Sequence, residues 1–307
     1  MGTSGFAVSS LDALAAAGYT LPMVVTQPDR LQGRGHKVVF SPVKERALQL
    51  QLNVFQPEKL RTPEVLDALR ALPVDFVVVV SYGQIIPESI LELPHLACLN
   101  VHASLLPHYR GAAPIQRAIM NGERWSGISI MHMDKSLDTG DVILQQPLLL
   151  EDDWDHGEVQ SRLAEMGAGL LLQAMDQLRQ GTAARWPQDH TLSSYAQRIL
   201  REDELIDWRR SAEAIFHQIR ALSPQPGAYT SLNGENIKIF KAAVPVVESS
   251  EMVPGSIVAL STEGFMVQTG EGQLELLSVQ RAGKKRIDAK SFATGQRLVP
   301  GQCFDQP

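Results

Sequence analysis

Residues 75–81 read DFVVVVS. Four valines in a row after a phenylalanine leave no polar face, and branching at Cβ favours extended backbone over helix. A short run that is apolar at every position is a strand buried on both faces, and such strands sit in parallel sheets covered by helices. The surrounding sequence agrees. Leu21 to Thr26 and Val54-Phe55 read as further strands. Val43 to Leu52, Pro63 to Leu72 and Pro87 to Leu93 read as helices, with Pro63 at a first turn where its missing N–H costs nothing. The alternation predicts an α/β fold built on a doubly wound parallel sheet. The start of the chain fits this pattern least. Gly2 to Gly5 looks like the turn after a strand, and Ser9-Ser10 like the N-cap of a helix that stops at Gly18, yet no strand precedes the turn.

The stretch CLNVHASLLPHYRGAAPIQR, Cys98 to Arg117, follows a predicted strand and helix. Its polar and apolar residues alternate, which places Asn100 and His102 on one side of an extended chain. Leu106-Pro107 and Arg110-Gly111 then turn the backbone. Further on, Ala113 to Asn121 reads as a helix and Gly127 to Met133 as a strand. A polar loop, Asp134 to Asp141, leads into another strand. Asp152 to Gln180 is helical, with a break expected near Gly167-Gly169. The two polar segments each follow a predicted central strand and are expected to open on the same edge of the sheet, where open α/β sheets place their ligands.

With 307 residues the chain exceeds what one compact core usually serves. The expected division is a first domain over 1–181, a connection over 182–203 marked by Pro187, Gln188, Asp189, His190 and Ser193-Ser194, and a second domain over 204–307. Ser211 to Leu222 reads as a capped helix. From Tyr229 onward the sequence reads as about five short strands with tight-turn signals at Asn233-Gly234 and Glu271-Gly272. This predicts a small C-terminal β-barrel of OB type.

A formal net charge of −6 argues against a generally basic nucleic-acid binder, but not against one whose basic residues are gathered on one face. Two such clusters stand out. The loop QPDRLQGRGHKVVFSP carries Arg34 and Lys37 among glycines, and is either a solvated loop or an arm that contacts phosphates. Between Arg281 and Lys290 there are five basic residues and one acidic, with Arg281, Lys284, Lys285 and Arg286 at its head. Two distant cysteines support neither a disulfide framework nor a metal site, and a reducing cytoplasm is the expected setting. The apolar runs are too short to span a bilayer, so no membrane partner is expected. No phosphate-cradling glycine motif and no metal-ligand spacing appears.

Asn100, His102 and Asp138 form the constellation with chemical content. Each could simply bond loop backbone. Together on one sheet edge they could do more: a His moves a proton near neutral pH, an Asn amide donates to an oxyanion as it forms, and an Asp orients the imidazole or a water. Ser104 is the nearest candidate nucleophile, and transfer of an acyl group straight to a bound amine fits the residues better than a covalent intermediate.

These segments resemble those of the methionyl-tRNA formyltransferase family: NVHASLLPHYRGAAPIQRAI, MDKSLDTGDVI, the early GTSGFAV and TQPDR…GRG…SPVK, and the late IDW and LELLSVQRAGKKR. The likeness runs through both halves. It implies a Rossmann-like first domain, 10-formyltetrahydrofolate as formyl donor, and initiator methionyl-tRNA as the partner that supplies the amine. It implies that Asn100 stabilises the oxyanion, that His102 relays the proton or polarises the formyl group, and that Asp138 positions His102 and a water. Ser104, Leu105, Leu106 and Pro107 would line the folate site, with backbone from Tyr82 and Gly83. Arg34 and Lys37 would reach the acceptor stem, and Arg281, Lys284, Lys285 and Arg286 would hold the tRNA body. A monomer and the absence of a metal are expected. The family carries a short apolar strand before the Gly-Thr turn, so the sheet is expected to lack its usual first strand and the reading frame to open upstream of Met1. The rival readings are another folate-dependent formyltransferase or hydrolase, acting on an amino sugar or a ribonucleotide, and a truncated tRNA-binding protein without activity.

Overall fold

The structure, a computed structural model, describes residues 1–32, 37–246 and 250–305. In chain order its elements are α1 (Phe6–Ala16), β1 (Val24–Val25), β2 (Arg30–Gln32), β3 (Lys37–Val39), α2 (Pro42–Gln49), β4 (Val54–Phe55), α3 (Pro63–Arg70), β5 (Phe76–Val79) and α4 (Glu88–Leu91). Then come β6 (Ala97–His102), β7 (Arg110–Gly111), α5 (Pro114–Met120), β8 (Trp125–His132), β9 (Val142–Leu149), α6 (His156–Gln180), β10 (Tyr195–Ala196) and α7 (Arg201–Glu204). The remainder is α8 (Ala212–Leu222), β11 (Ala228–Leu232), β12 (Glu235–Ala243), β13 (Ile257–Leu260), β14 (Phe265–Gln268), β15 (Gln273–Arg281), β16 (Ile287–Asp288) and α9 (Ala289–Gln296). Contacts divide the chain into two compact units. One holds Met1–Pro114, Trp125–Leu149 and Gln160–Ala196; the other holds Ile115–Arg124, Leu150–Val159 and Gln197–Pro307.

In the first unit β5 and β6 are parallel, as are β1 and β4. The main sheet has the order β5-β6-β8-β9, and β8 and β9 run antiparallel to their neighbours. The α/β expectation therefore holds, with an antiparallel hairpin completing the parallel core. Met1 and Gly2 lie between β1 and β5. Gly2 N–H donates to Val25 O at 2.9 Å, Val80 N–H donates to Met1 O at 2.9 Å, and Gly2 bridges Val80 in parallel register. These two residues supply the first rungs where a full strand was expected to be missing.

Beside them is a cavity of about 610 Å³, lined among others by Met1, Leu14, Val24, Phe76, Val77 and Val78. It explains one difference from the sequence reading. Phe76, Val77 and Val78 are only half-buried, whereas Val79 and Val80 are fully buried, because β5 faces this cavity instead of a packed neighbour. The Met1 ammonium is enclosed here and donates to Val78 O at 2.6 Å; burial pulls its pKa down to about 6.

Two helices also differ from expectation. α1 begins at Phe6 with Gly5 as N-cap, so Ser9 and Ser10 lie inside it and cap nothing. α6 runs unbroken through Gly167 and Gly169. A Cβ on Gly167 would come within 2.8 Å of Val101 Cγ1, so this glycine lets α6 lie close on the sheet and does not end the helix.

In the second unit the described strands form an antiparallel sheet of order β11-β12-β15-β14-β13, with β16 paired to β15. The turn between β11 and β12 is Asn233-Gly234, both at positive φ (52° and 76°), as a tight hairpin turn requires. The tail spans the gap between the two outer strands: Ser256 bridges Cys303 and Ser231 bridges Asp305. Between these rungs Phe304 is buried, its ring 5.2 Å from Trp208 and 6.3 Å from Phe265. Helix α8 is capped by the Ser211 hydroxyl, which accepts from Ala214 N–H at 3.2 Å, and α9 by Asp288, which accepts from Ser291 N–H at 2.7 Å.

Candidate active site

The pleat of β6 puts Asn100 and His102 on one face, with buried Leu99 and Val101 on the other. Asp138 reaches them by a route the sequence did not suggest. Because β8 is antiparallel to β6, with Leu99 opposite His132 and His102 opposite Ser129, the 133–141 loop leaves the sheet at the opposite end from His102. The expectation that both segments open on one edge is therefore corrected: the loop folds back over β6. Gly140 permits this, since a Cβ there would lie 1.9 Å from His132 O. Asp138 itself adopts a left-handed φ of 54°.

The resulting cluster is tight. Asn100 Nδ2 donates to Asp138 Oδ1 at 3.2 Å, and the Gly111 N–H donates to Asp138 Oδ2 at 2.8 Å. His102 Nδ1 is 3.7 Å from Asp138 Oδ2, an electrostatic contact too long for a hydrogen bond. His102 Nε2 lies 2.9 Å from the Tyr109 carbonyl. A carbonyl only accepts, so Nε2 carries the hydrogen and Nδ1 of the neutral ring presents its lone pair toward the carboxylate. The imidazole is 6% exposed and Asp138 9%, so both work largely out of water. The arrangement can take a proton at Nδ1, with a carboxylate beside it to stabilise the cation, while the second Asn100 amide hydrogen remains for an oxygen acceptor.

The other predicted residues fall as follows. Ser104 is buried and its hydroxyl donates to His108 O at 2.6 Å, which occupies it within the loop. The Ser104-to-Pro107 backbone is tied to the hairpin. Ser129 Oγ accepts from Leu106 N–H at 3.0 Å and donates to Ser104 O at 2.6 Å, and Gln145 Nε2 donates to Leu106 O at 2.9 Å. Leu106 is packed with Met131 and Val142. Tyr82 is buried, its hydroxyl pushed up to about 12 by burial, and its carbonyl accepts from Thr3 Oγ1 and from Gln27 Nε2, each at 2.9 Å. Gly83, at φ 85°, sits against Gln27. Cys98 is a core residue whose thiol burial pushes up to about 12, which leaves it inert.

Arg34 lies outside the described residues, and Lys37 is placed by its backbone in β3. In the second unit Arg281 forms a two-pronged ion pair with Glu235, with a closest approach of 2.8 Å, and the pair holds the Glu235 carboxyl below its ordinary range. Arg286 lies over the Phe240 ring at 3.6 Å, and Lys284 and Lys285 are exposed. Among the described residues no group of His, Cys, Asp and Glu is arranged to hold a metal ion, and no helix is long and apolar enough to cross a membrane.

Sequence reasoning missed Tyr109, Gly111, Ser129 and Gln188. Tyr109 and Gly111 act through backbone groups, which any residue carries. Ser129 sits in a strand that reads as apolar alternation. Gln188 lies in the stretch expected as a connection, yet residues up to Ala196 pack within the first unit, where β10 pairs with β7.

Known proteins carry the same organisation. Residues 1–175 match the formyl transferase family and residues 198–297 the formyl transferase C-terminal domain. The methionyl-tRNA formyltransferase of Syntrophomonas wolfei is 50% identical over 98% of this chain and 96% of its own length, and that of Moorella thermoacetica 46% identical over 99% and 97%. Among solved structures, the N-formyltransferase of Helicobacter canadensis, in complex with folinic acid and dTDP-3-aminofucose, shares the fold with a TM-score of 0.66 at 21% identity, over 91% of this chain and 97% of that one. Identity of this extent through both units places the chain in the methionyl-tRNA formyltransferase family.

Proposed function

We propose that the chain transfers the formyl group of 10-formyltetrahydrofolate to the α-amine of methionine on initiator methionyl-tRNA, giving formylmethionyl-tRNA for translation initiation in the cytoplasm. The observation that carries this reading is the convergence of Asn100 Nδ2 and His102 Nδ1 on the Asp138 carboxylate in a largely buried site. It is supported by family membership along nearly the whole chain.

The folate donor supplies the formyl carbon. His102 accepts at Nδ1 the proton that the amine loses as it attacks that carbon, while Nε2–H stays bonded to Tyr109 O. Asp138 stabilises the imidazolium so formed across 3.7 Å. Asn100 donates its second amide hydrogen to the formyl oxygen as negative charge develops there. His102 then returns the proton to the folate nitrogen that leaves, so the bond made to the amine is balanced by the bond broken to the donor. Ser104 to Pro107, held by Ser129 and Gln145, and the Tyr82-Gly83 turn line the folate site. Residues 1–181, with 182–196 packed in the same unit, carry this chemistry, and 204–307 hold the tRNA body.

Arg34 and Lys37 reach the acceptor end, while Lys284, Lys285 and Arg286, with Arg281 when it leaves Glu235, meet phosphates. Such contacts make tRNA affinity fall steeply with salt. The protein works as a monomer and without a metal.

Formylation of charged initiator tRNA, assayed beside amino-sugar and ribonucleotide amines, tests the substrate. Activity confined to the sugar or the ribonucleotide would overturn the tRNA reading. His102→Ala is expected to lower kcat by about 10² to 10⁴ with tRNA affinity little changed. A variant that formylates like the wild type would remove His102 from the mechanism.

A further inference from the structure

Arg110 is 1% exposed, at the end of the β7 pairing. Its guanidinium donates to Gln188 Oε1 from Nε at 3.1 Å and from Nη2 at 2.7 Å, and Nη2 lies 3.1 Å from His190 Nδ1. The Gln188 amide is thereby oriented, because only its oxygen can accept from the arginine. Its nitrogen then donates to Asp138 O at 2.9 Å and to Gly140 O at 2.7 Å. Both amide hydrogens of Gln188 are spent on the loop that carries Asp138.

Asp138 is thus gripped twice from one dipeptide. The Gly111 N–H holds its carboxylate, and Arg110, through Gln188, holds its backbone. That backbone is in the left-handed region, which costs a non-glycine residue free energy and persists where surrounding bonds enforce it. A guanidinium bonded to the amide oxygen also polarises the amide, which strengthens its two donated bonds.

We infer that Gln188, oriented by Arg110, is a positioning residue for formyl transfer: it holds the Asp138 backbone so that the carboxylate faces His102 Nδ1. The inference rests on the reading that Asp138 and His102 act together. Without the clamp the loop relaxes toward ordinary backbone angles and the carboxylate leaves the imidazole. A stretch of chain that reads as a connection then has a part in the chemistry without touching substrate.

Two substitutions separate positioning from plain stability. Gln188→Ala removes both bonds that the amide donates to the loop and leaves the Gly111 N–H in place. Gln188→Glu keeps the contact with Arg110, and strengthens it by adding charge, but has no N–H to offer Asp138 O or Gly140 O. Kinetics with formyl donor and charged initiator tRNA, thermal midpoints, and crystal structures of both variants are compared with wild type. The expected result is a fall in kcat of at least about tenfold in both variants, with KM for tRNA changed less than about threefold, since misplacement by an ångström costs rate more than binding. Gln188→Glu is expected to lose less in thermal midpoint than Gln188→Ala, its ion pair with Arg110 offsetting part of the two lost bonds, but as much in kcat, and both crystal structures to show Asp138 out of contact with His102.

Wild-type kcat in either variant overturns the inference, as does a rate loss that follows the fall in midpoint from one variant to the other. An Asp138 carboxylate still in place against His102 in both crystal structures does the same, and that arm decides independently of activity. A wild type without formylation activity counts against the proposed function, whereas an active wild type matched by its Gln188 variants counts against the clamp alone.

Discussion

At the scale of single residues, the site depends on what backbone groups are allowed to do. Tyr109 offers a carbonyl, Gly111 an N–H, and Gly140 the absence of a side chain. The last is the most exposed to a simple test. A methyl group at 140 would sit 1.9 Å from His132 O and 2.9 Å from His132 C, well inside contact, and backbone cannot yield as a flexible side chain would. The loop must lift away from β8 and carry Asp138 with it. Gly140→Ala is expected to lower kcat by about 10²-fold, as for other ångström-scale misplacements of reacting groups. tRNA affinity, measured by filter binding, should stay near wild type, because the basic residues proposed to meet phosphates lie elsewhere.

At the scale of elements, α6 carries two lessons. Its glycines do not break it, because Gly167 pays back its lost helix propensity by close packing on Val101. Its first residue, His156, is held neutral: burial pulls the imidazole pKa down to about 4 from an ordinary 6.5, against an opposing pull from Asp155. As pH falls the unfolded chain takes up this proton first. The contribution to stability is therefore fully present above pH 6.5 and is lost as pH drops toward about 4. Urea unfolding of wild type and His156→Gln across that range should show a difference that shrinks with falling pH. A constant difference between the two proteins would mean that this ring does not titrate as its burial implies.

At the scale of the whole molecule, each unit solves an edge problem. In the second, the outer strands β11 and β13 are joined by residues 303–305, and Phe304 is pressed between Trp208 and Phe265. Truncating a buried aromatic of this kind costs about 3–5 kcal/mol. Phe304→Ala is expected to lower the unfolding free energy of the second unit by that amount, read as a fall in urea midpoint at unchanged slope. Loss of a frayed tail alone would cost far less. In the first unit, Met1 and Gly2 bridge β5 and β1 beside a cavity of about 610 Å³. Its lining is why a run of valines is less buried than its composition demands.

Composition and periodicity by themselves determined the class of fold, the placing of Asn100 and His102 on one face of β6, and the marking of Asp138 as chemically notable. These properties are local, set by side-chain alternation along a strand and by turn residues within a few positions. The direction of β8, the folding of the 133–141 loop back over β6, the closing of the second sheet by its tail, and the reach of Arg110 through Gln188 to Asp138 were decided by tertiary structure. Each joins residues far apart in the chain, and several do so through backbone atoms that leave no mark on residue type. A pattern of side chains can say which residues prefer to be buried or extended. Which of them meet is settled when nearly all the buried donors and acceptors of the folded chain have found partners.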